Sequence, residues 1–514
     1  MRIVLLLILP FFLLAKPFKV ATYNVENLFD ARYSGTEYQE YTKKHNWTER
    51  TVEIKLNHTA EVICDLNADI LGVQEIENEP ILRALQKKLD EVGCAYPYLA
   101  ITHTKRASVQ VGLLSRFPIR STKEIAVGRS PGTRNILEAV VEVQNTPLHL
   151  FVNHWKSRSR EGWESKRMVY AKALQKRLER LPKSAEYLLL GDFNTDYDAY
   201  LSLEARINDT EGRTGLHHIV HTTEDLSSLT PESGRHYTLW GELELDGRWN
   251  TKFYGRRGTP DHILLPRTMM DDKGINYIDG SFGVFRRSYL FTKRGYINSW
   301  EYKKGKHRGR GYSDHLPIYA YFDTKPYYSG NDAKSPLQRE VKPIEYLYTI
   351  EALSHEVVLK DAVVVWKERG NALIKQSPEG RGIFLYGCAG ELQEGKVYDL
   401  LVRGIKTYHG LKEITHAYLL KEKAEKDIGS YLLMQDDFSK PIATRQNELF
   451  KSLTGIYKEG YFYVSGRKIP IYFKKRNSTP PNGSKLKIAY AHLGYYKHLQ
   501  LVVYSPNNFT VLEK

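Results

Sequence analysis

Seven short apolar runs between Lys19 and Phe322 constrain this chain more than any other feature, because each is too short for a helix and each stops in polar residues. They are KVATYN from Lys19, ILGVQEI from Ile70, VQVGLLS from Val109, LHLFVN from Leu148, YLLLGDF from Tyr187, DHILLP from Asp261 and LPIYAYF from Leu316. Their length and their β-branched and aromatic content predict strands. Between them, Arg50 to Leu66 and Lys166 to Leu181 carry helical apolar spacing with charged outer faces. Strands and helices interleaved in this way predict a layered α/β architecture, with functional residues presented from the strand ends on one rim.

The 514 residues exceed what one hydrophobic core usually organises. Residues 325–343 are rich in Pro, Ser, Gly and charge without periodicity, which is linker composition. Beyond them the chain is strand-rich and contains a repeat: EGKVYDLLVRGIKTYHGLKEI from Glu394 aligns without gaps on NGSKLKIAYAHLGYYKHLQLV from Asn482. Gly395 matches Gly483, Tyr408 matches Tyr496 and Leu411 matches Leu499, while Gly404 and Gly410 become His492 and His498. Two similar five-strand modules are expected, spanning 344–424 and 425–514. Their pattern resembles the OB-fold modules attached to exported nucleases, with Tyr408 and Tyr496 as either stacking residues or core aromatics.

Met1 and Arg2 precede an apolar run from Ile3 to Leu14, then Ala15. This is the layout of a signal peptide over residues 1–15, too short for a transmembrane anchor, and it predicts an exported protein, periplasmic or secreted. Three cysteines, Cys64, Cys94 and Cys388, allow one bridge at most; Cys64 reads as a small buried hydrophobe. The 75 Lys and Arg against 60 Asp and Glu give a net charge of +15, which favours a polyanionic partner.

Five blocks carry chemistry. ATYNVENLFD and LGVQEIEN place Asn24 and Glu75 at strand ends, hard oxygen ligands suited to magnesium, manganese or calcium. FVNHWKSRSR places His154 where a strand runs out, with Lys156 and Arg158 behind it to neutralise phosphate charge. YLLLGDFNTD aims Asp192 and Asn194 at one point, an acid for the attacking water and an amide for a phosphate oxygen. TPDHILLP and YSDHLPIYA supply Asp261 and the pair Asp314 and His315, so that an imidazole held by a carboxylate can act as base or as electrostatic partner. Ahead of the last block, Lys303, Lys304, Lys306, Arg308 and Arg310 are spaced by Gly, and read as a mobile cationic loop for the phosphates flanking the cut.

Asn24, Glu75, His154, Asp192, Asn194, Asp261, Asp314 and His315 stand in the order and local strings of the endonuclease/exonuclease/phosphatase superfamily, of the pancreatic deoxyribonuclease type, and residues 19–324 resemble it. The resemblance implies a four-layer sandwich of two mixed β-sheets flanked by helices. It implies a divalent cation, Mg2+ with Mn2+ or Ca2+ as alternatives, at Asn24, Glu75 and Asp314. It further implies Asp192, Asn194 and His154 at the phosphate, His315 supported by Asp261, and in-line hydrolysis leaving a 5'-phosphate and a 3'-hydroxyl. Relatives often carry a catalytic Tyr or Glu in the middle region, for which Thr102 to Val111 offers no counterpart. The expected function is an exported metal-dependent nuclease, with DNA endonuclease foremost. The alternative is a sphingomyelinase-type phospholipid phosphodiesterase, which would need an exposed apolar hairpin that the sequence does not display. A catalytically silent binding protein is disfavoured by eight intact site positions.

Overall fold

The structure is a computed structural model that describes residues 16–328 and 339–513, save positions 106, 129, 131, 160 and 254 and the side chains at 442, 443 and 476. The expected leader at 1–15 and most of the expected linker lie outside these residues. The chain divides into two compact units, Met1–Leu337 and Gln338–Lys514. No helix among the described residues is long and apolar enough to cross a membrane.

The first unit is the expected sandwich. One seven-stranded sheet runs in the order Asn276–Tyr277, Ile318–Asp323, β1 (Phe18–Leu28), β2 (Ile70–Ile76), β4 (Gln110–Ser115), β3 (Tyr98–Ile101), with Gly283–Val284 added against Ile318–Asp323. The other runs β5 (Ile119–Ile125), β6 (Ile136–Val143), β7 (Thr146–His154), β8 (Tyr187–Asp192), then Asp261–Leu265, His236–Thr238 and Thr222–Thr223. All seven apolar runs are strands. Their two inner faces share one core, in which Val20, Ile70 and Ile318 of the first sheet meet Val152, Leu190 and Ile263 of the second. The sheets approach so closely at Gly72 that a Cβ there would lie 2.6 Å from Leu190 Cδ1.

Helices cover both outer faces. α1 (Glu49–Leu66) and α2 (Glu79–Glu91) pack on the first sheet through Leu56, Ile63, Leu82 and Leu85. α3 (Glu164–Leu178) packs on the second through Tyr170, Ala171 and Leu174. Asn78 starts α2 by accepting the Ile81 N–H at 3.0 Å, with Pro80 in the first turn. Two readings need correction here. Lys55 lies on the buried face of α1, not its charged outer face, with its ammonium on Tyr312 O at 2.7 Å. Cys64, near the end of α1, pairs with Cys94 just past α2 in a disulfide with Cα atoms 5.6 Å apart. The partner stands 30 residues away, and only the packing of the two helices brings it close.

The second unit contains two five-stranded closed barrels of one topology. In the first the strands Val357–Glu368, Asn371–Lys375, Ile383–Leu385, Lys396–Tyr408 and Leu411–Glu425 pair in the order 1-2-3-5-4 and close between 1 and 4. In the second, Glu448–Lys458, Tyr461–Val464, Arg467–Phe473, Lys485–Tyr495 and Leu499–Val503 repeat the order and the closure. Strands 3 and 5 are parallel in both, and the rest are antiparallel, which is the OB-fold arrangement. The repeat maps onto strands 4 and 5, where Gly395 and Gly483 both enter strand 4 at positive φ, 83° and 91°.

Gly191 fixes how β8 reaches the rim. Its φ is 126°, and a Cβ would stand 2.1 Å from Asn153 O on the neighbouring strand. Gly191→Ala should therefore cost about 2–3 kcal/mol of stability in urea unfolding; a loss below about 0.5 kcal/mol would show that the strand can move aside.

Candidate active site

The site forms at one rim because of strand direction. β1, β2, β7 and β8 end there, while the antiparallel strands Asp261–Leu265 and Ile318–Asp323 begin there. His154, Asp192 and Asp261 are ladder partners on three adjacent strands, so their side chains form one row on one face of the sheet. On the first sheet the ladders of β1 and β2 are interrupted between Asn24 and Leu28 and between Gln74 and Ile76. At these bulges Glu26 and Glu75 take left-handed backbone conformations, φ 53° and 66°. A bulge re-aims a side chain, and here it aims two glutamates at the rim.

Asp192 is the hub. Its Oδ2 accepts Nδ2 of both Asn24 and Asn194 at 3.1 Å, and its Oδ1 accepts the Asn194 N–H at 2.8 Å. Asn24 Nδ2 also donates to Glu75 Oε1 at 3.1 Å, while Asn24 Oδ1 accepts the Glu26 N–H at 3.0 Å. Sequence reasoning offers the Asn24 oxygen to a metal; in the structure that oxygen is turned to the backbone, because two carboxylates face the amide nitrogen. Asn194 likewise directs Nδ2 at Asp192 and at Trp155 O (3.2 Å), so it orients the acid and its N–H groups are engaged. His154 Nε2 stands 3.7 Å from both Glu75 and Asp192.

His315 Nδ1 meets Asp261 Oδ2 at 2.6 Å, and Asn250 Nδ2 donates to the same oxygen at 2.5 Å. The Ser313 hydroxyl ties this loop to Asn24 O at 2.7 Å. Burial alone would lower the His315 imidazole, but Asp261, then Asp314 and Asp192, hold it well above its ordinary value, so it is an imidazolium at neutral pH. Burial pushes His154 well below its ordinary value, and the nearby Arg134, His315 and Lys156 add to this, so it is neutral. Burial, reinforced by Asp261, raises Asp192 to about 7. Glu26 rises to about 8 through burial and the nearby Asp314, and Glu75 rises for the same two reasons.

Glu26, Glu75 and Asp314 thus form an all-oxygen cluster whose members repel one another, opposed by the buried Lys55, whose own value falls to about 8 through burial. Among the described residues no three His, Cys, Asp or Glu stand as a ready-made metal cage. The chemistry fits Mg2+, which is held by one or two carboxylates and completes its shell with water and phosphate.

Glu26, Lys55, Asn250 and Arg134 are additions to the expected set. Arg134 holds the end of β7 by donating to His154 O at 3.0 Å and Trp155 O at 2.7 Å. Their only sequence signals are weak: Glu26 sits in ATYNVENLFD, and Asn250 and Arg134 sit in loops without a motif. Of the expected phosphate contacts, Lys156 is half-buried next to the site, and Arg158 is bonded to Asp196 at 2.6 and 3.3 Å, which engages its charge within the loop. The cationic segment is not a free loop. Tyr302–Lys303 and Lys306–His307 form a hairpin, and Asn46 Nδ2 donates to His307 O at 2.8 Å. Lys303, Lys304, Lys306, Arg308 and Arg310 remain exposed along it.

Because the fold raises His315, the pair with Asp261 stabilises the protein fully below the unfolded value of about 6.5, and this contribution disappears as pH rises through the raised folded value. The stability difference between wild type and His315→Ala in metal-free buffer should be largest near pH 6 and should shrink as the solution becomes alkaline. A difference independent of pH would remove the imidazolium.

A profile described as the Endonuclease/Exonuclease/phosphatase family matches residues 19–324. No curated protein matches the chain. Solved structures similar to it include a humanized D. rerio TDP2 carrying 14 mutations, 14% identical over 60% of this chain and 99% of that one, with a TM-score of 0.38. A Leptotrichia buccalis C-1013-b endonuclease/exonuclease/phosphatase family protein is 16% identical over 59% and 98%, with a TM-score of 0.37. SmcL is 16% identical over 60% and 99%, with a TM-score of 0.37. With its first unit matched almost end to end by the profile, the chain belongs to the endonuclease/exonuclease/phosphatase family.

Proposed function

We propose that this chain is an exported, divalent-metal-dependent phosphodiesterase that hydrolyses nucleic acid, with DNA endonuclease as the leading activity. The observation that carries the proposal is the row of His154, Asp192 and Asp261 with the His315 imidazolium at its end, facing the carboxylates Glu26, Glu75 and Asp314. Asp192, held by three N–H donors and poised near neutrality, orients a water and accepts its proton. His315, fixed through Nδ1 by Asp261, presents Nε2–H to a phosphate oxygen as negative charge builds there. Asn24 keeps Glu75 and Asp192 at a set separation. Glu75 would hold a divalent cation, which when bound would supply neutralisation of the charge on the phosphate.

Nucleic acid is favoured over lipid by the net charge of +15, the exposed cations of the 302–310 hairpin and the two OB-type barrels. Export is favoured by the apolar Ile3–Leu14 run and by the Cys64–Cys94 disulfide, a bond that persists in oxidising compartments. One feature favours the lipid reading. Thr251–Phe253 and Arg256–Gly258 form a hairpin that pairs with His315 at Thr251 and exposes Phe253 at 70%.

Purified protein with Mg2+, Mn2+, Ca2+ or EDTA, offered plasmid DNA, structured RNA and sphingomyelin vesicles, separates these readings. Plasmid nicking with Mg2+ that EDTA abolishes is expected; phosphocholine release without nucleic acid cleavage would replace the nuclease with the phospholipid phosphodiesterase reading. Asp192→Ala and His315→Ala should each lower the rate by a factor of about 10³ without unfolding the chain, and full activity in either would sink the assignment. Glu75→Gln should raise the Mg2+ needed for half-maximal rate by about tenfold or more, and an unchanged titration would remove Glu75 from the cation.

A further inference from the structure

The two barrels share a topology but differ in what lies on the face made by their first three strands. In the first barrel this face is closed. Asn371–Lys375 and Ile383–Leu385 are almost wholly buried, and Trp366, Leu373 and Phe384 join one core with Tyr431, Leu432 and Leu449 from the second module. Phe384 stacks on His492 with centroids 5.3 Å apart, and Trp366 meets Tyr504 at 4.6 Å. His492 stands where the first copy of the repeat has Gly404, and its Nε2 meets Asn447 Oδ1 at 3.0 Å. The departure from the repeat therefore serves the packing of one module on the other.

The same face of the second barrel is open. Along Tyr461–Val464 exposure alternates, Tyr461 and Tyr463 outward and Phe462 and Val464 into the core. The ladder sets Ile456, Tyr463 and Lys468 in one cross-strand row and Lys458, Tyr461 and Pro470 in the next. Tyr472 is a further outward ring on the third strand, between the core residues Ile471 and Phe473. Lys468 Nζ lies 4.1 Å from the Tyr461 ring centre and 5.9 Å from that of Tyr463. The barrel's core is supplied by the inward residues, so these tyrosines are not needed to hold it. Residues 429–514 carry 13 Lys and Arg against 5 Asp and Glu, so the charge around the rings suits an anion.

We propose that this face binds single-stranded nucleic acid, with bases stacked on Tyr461, Tyr463 and Tyr472 and phosphates met by Lys458 and Lys468. Flat rings flush with a sheet can stack only on bases that a single strand leaves uncovered, whereas a duplex hides its base faces, and flanking ammonium groups follow the backbone. Tyr408 and Tyr496 do not form this surface. They flank His409 with centroids at 4.5 and 4.6 Å, packed against one another's hairpins. The inference rests on nucleic acid as the substrate and identifies a surface of the second unit by which the chain grips it.

The test uses the full chain in EDTA, so that nothing is cut, and fluorescence anisotropy with a labelled oligothymidylate and a labelled duplex of equal length. Tyr461→Ala combined with Tyr463→Ala should weaken oligothymidylate binding at least tenfold at an unchanged melting temperature and leave duplex binding within twofold. The corresponding pair of Phe substitutions should retain binding, because stacking needs the ring and not the hydroxyl. Lys468→Gln should flatten the salt dependence. Equal affinity of wild type and the double Ala variant, or tighter binding of duplex than of single strand by the wild type, would overturn the proposal. Cleavage is measured separately: a chain that grips oligothymidylate through Tyr461 and Tyr463 yet cuts no nucleic acid keeps this surface and loses the nuclease reading.

Discussion

Asp192 and Asp261 sit side by side as ladder partners, both nearly excluded from solvent. Two carboxylates placed this way repel each other, and burial removes the water that would screen them. The structure answers with donors: Asn24, Asn194 and the Asn194 backbone on one, Asn250 and the His315 imidazolium on the other. Relaxation by sliding is closed off, since a one-residue slip of β8 would turn Asp192, with every other side chain of that strand, to the opposite face. The repulsion is thus held by the register, and Asn24 near the end of β1 together with Asn250 and His315 on their loops supplies the donors that offset it.

The same logic extends across the gap between the sheets. Glu26, Glu75 and Asp314 add negative charge to an already acidic centre, within a chain that is basic overall. An acidic centre repels a phosphodiester until a cation arrives, whereas the exposed lysines and arginines of the 302–310 hairpin attract it from outside. On the proposed reading, capture of a polyanionic substrate and binding of a cation are coupled through charge.

The strands are legible because alternating or continuous apolar runs bounded by polar residues have few other solutions, and Asn24, Glu75, His154, Asp192, Asp261 and His315 all stand where such a run begins or ends. The ladder partnership of Asp192 with Asp261 is hidden, because 68 residues of loop, short helices and short strands lie between them and pairing order leaves no local mark. Glu26 and Lys55 were missed for a related reason. A bulge and an inward-facing lysine both violate the periodicity by which strands and helices are read. The strand β5 leaves no such mark in the sequence, since it is largely exposed and its residues lack an apolar pattern. In the repeat, Gly395 and Gly483 ahead of strand 4 are the reliable signal; Gly404 and Gly410 give way to His492 and His498, and for His492 the packing of the modules gives the reason.

That packing has an evolutionary side. Trp366, Leu373 and Phe384 share one core with Tyr431, Leu432 and Leu449 of the second module. A descendant that lost the last module alone would present an aromatic patch to water and to its own copies, and one that lost the first would strand Tyr431 and Leu432 in the same way. The duplicated pair is consequently heritable as a block: it can be gained, swapped or discarded whole, while its two members are free to diverge in opposite directions, one into a keel and the other into a working surface.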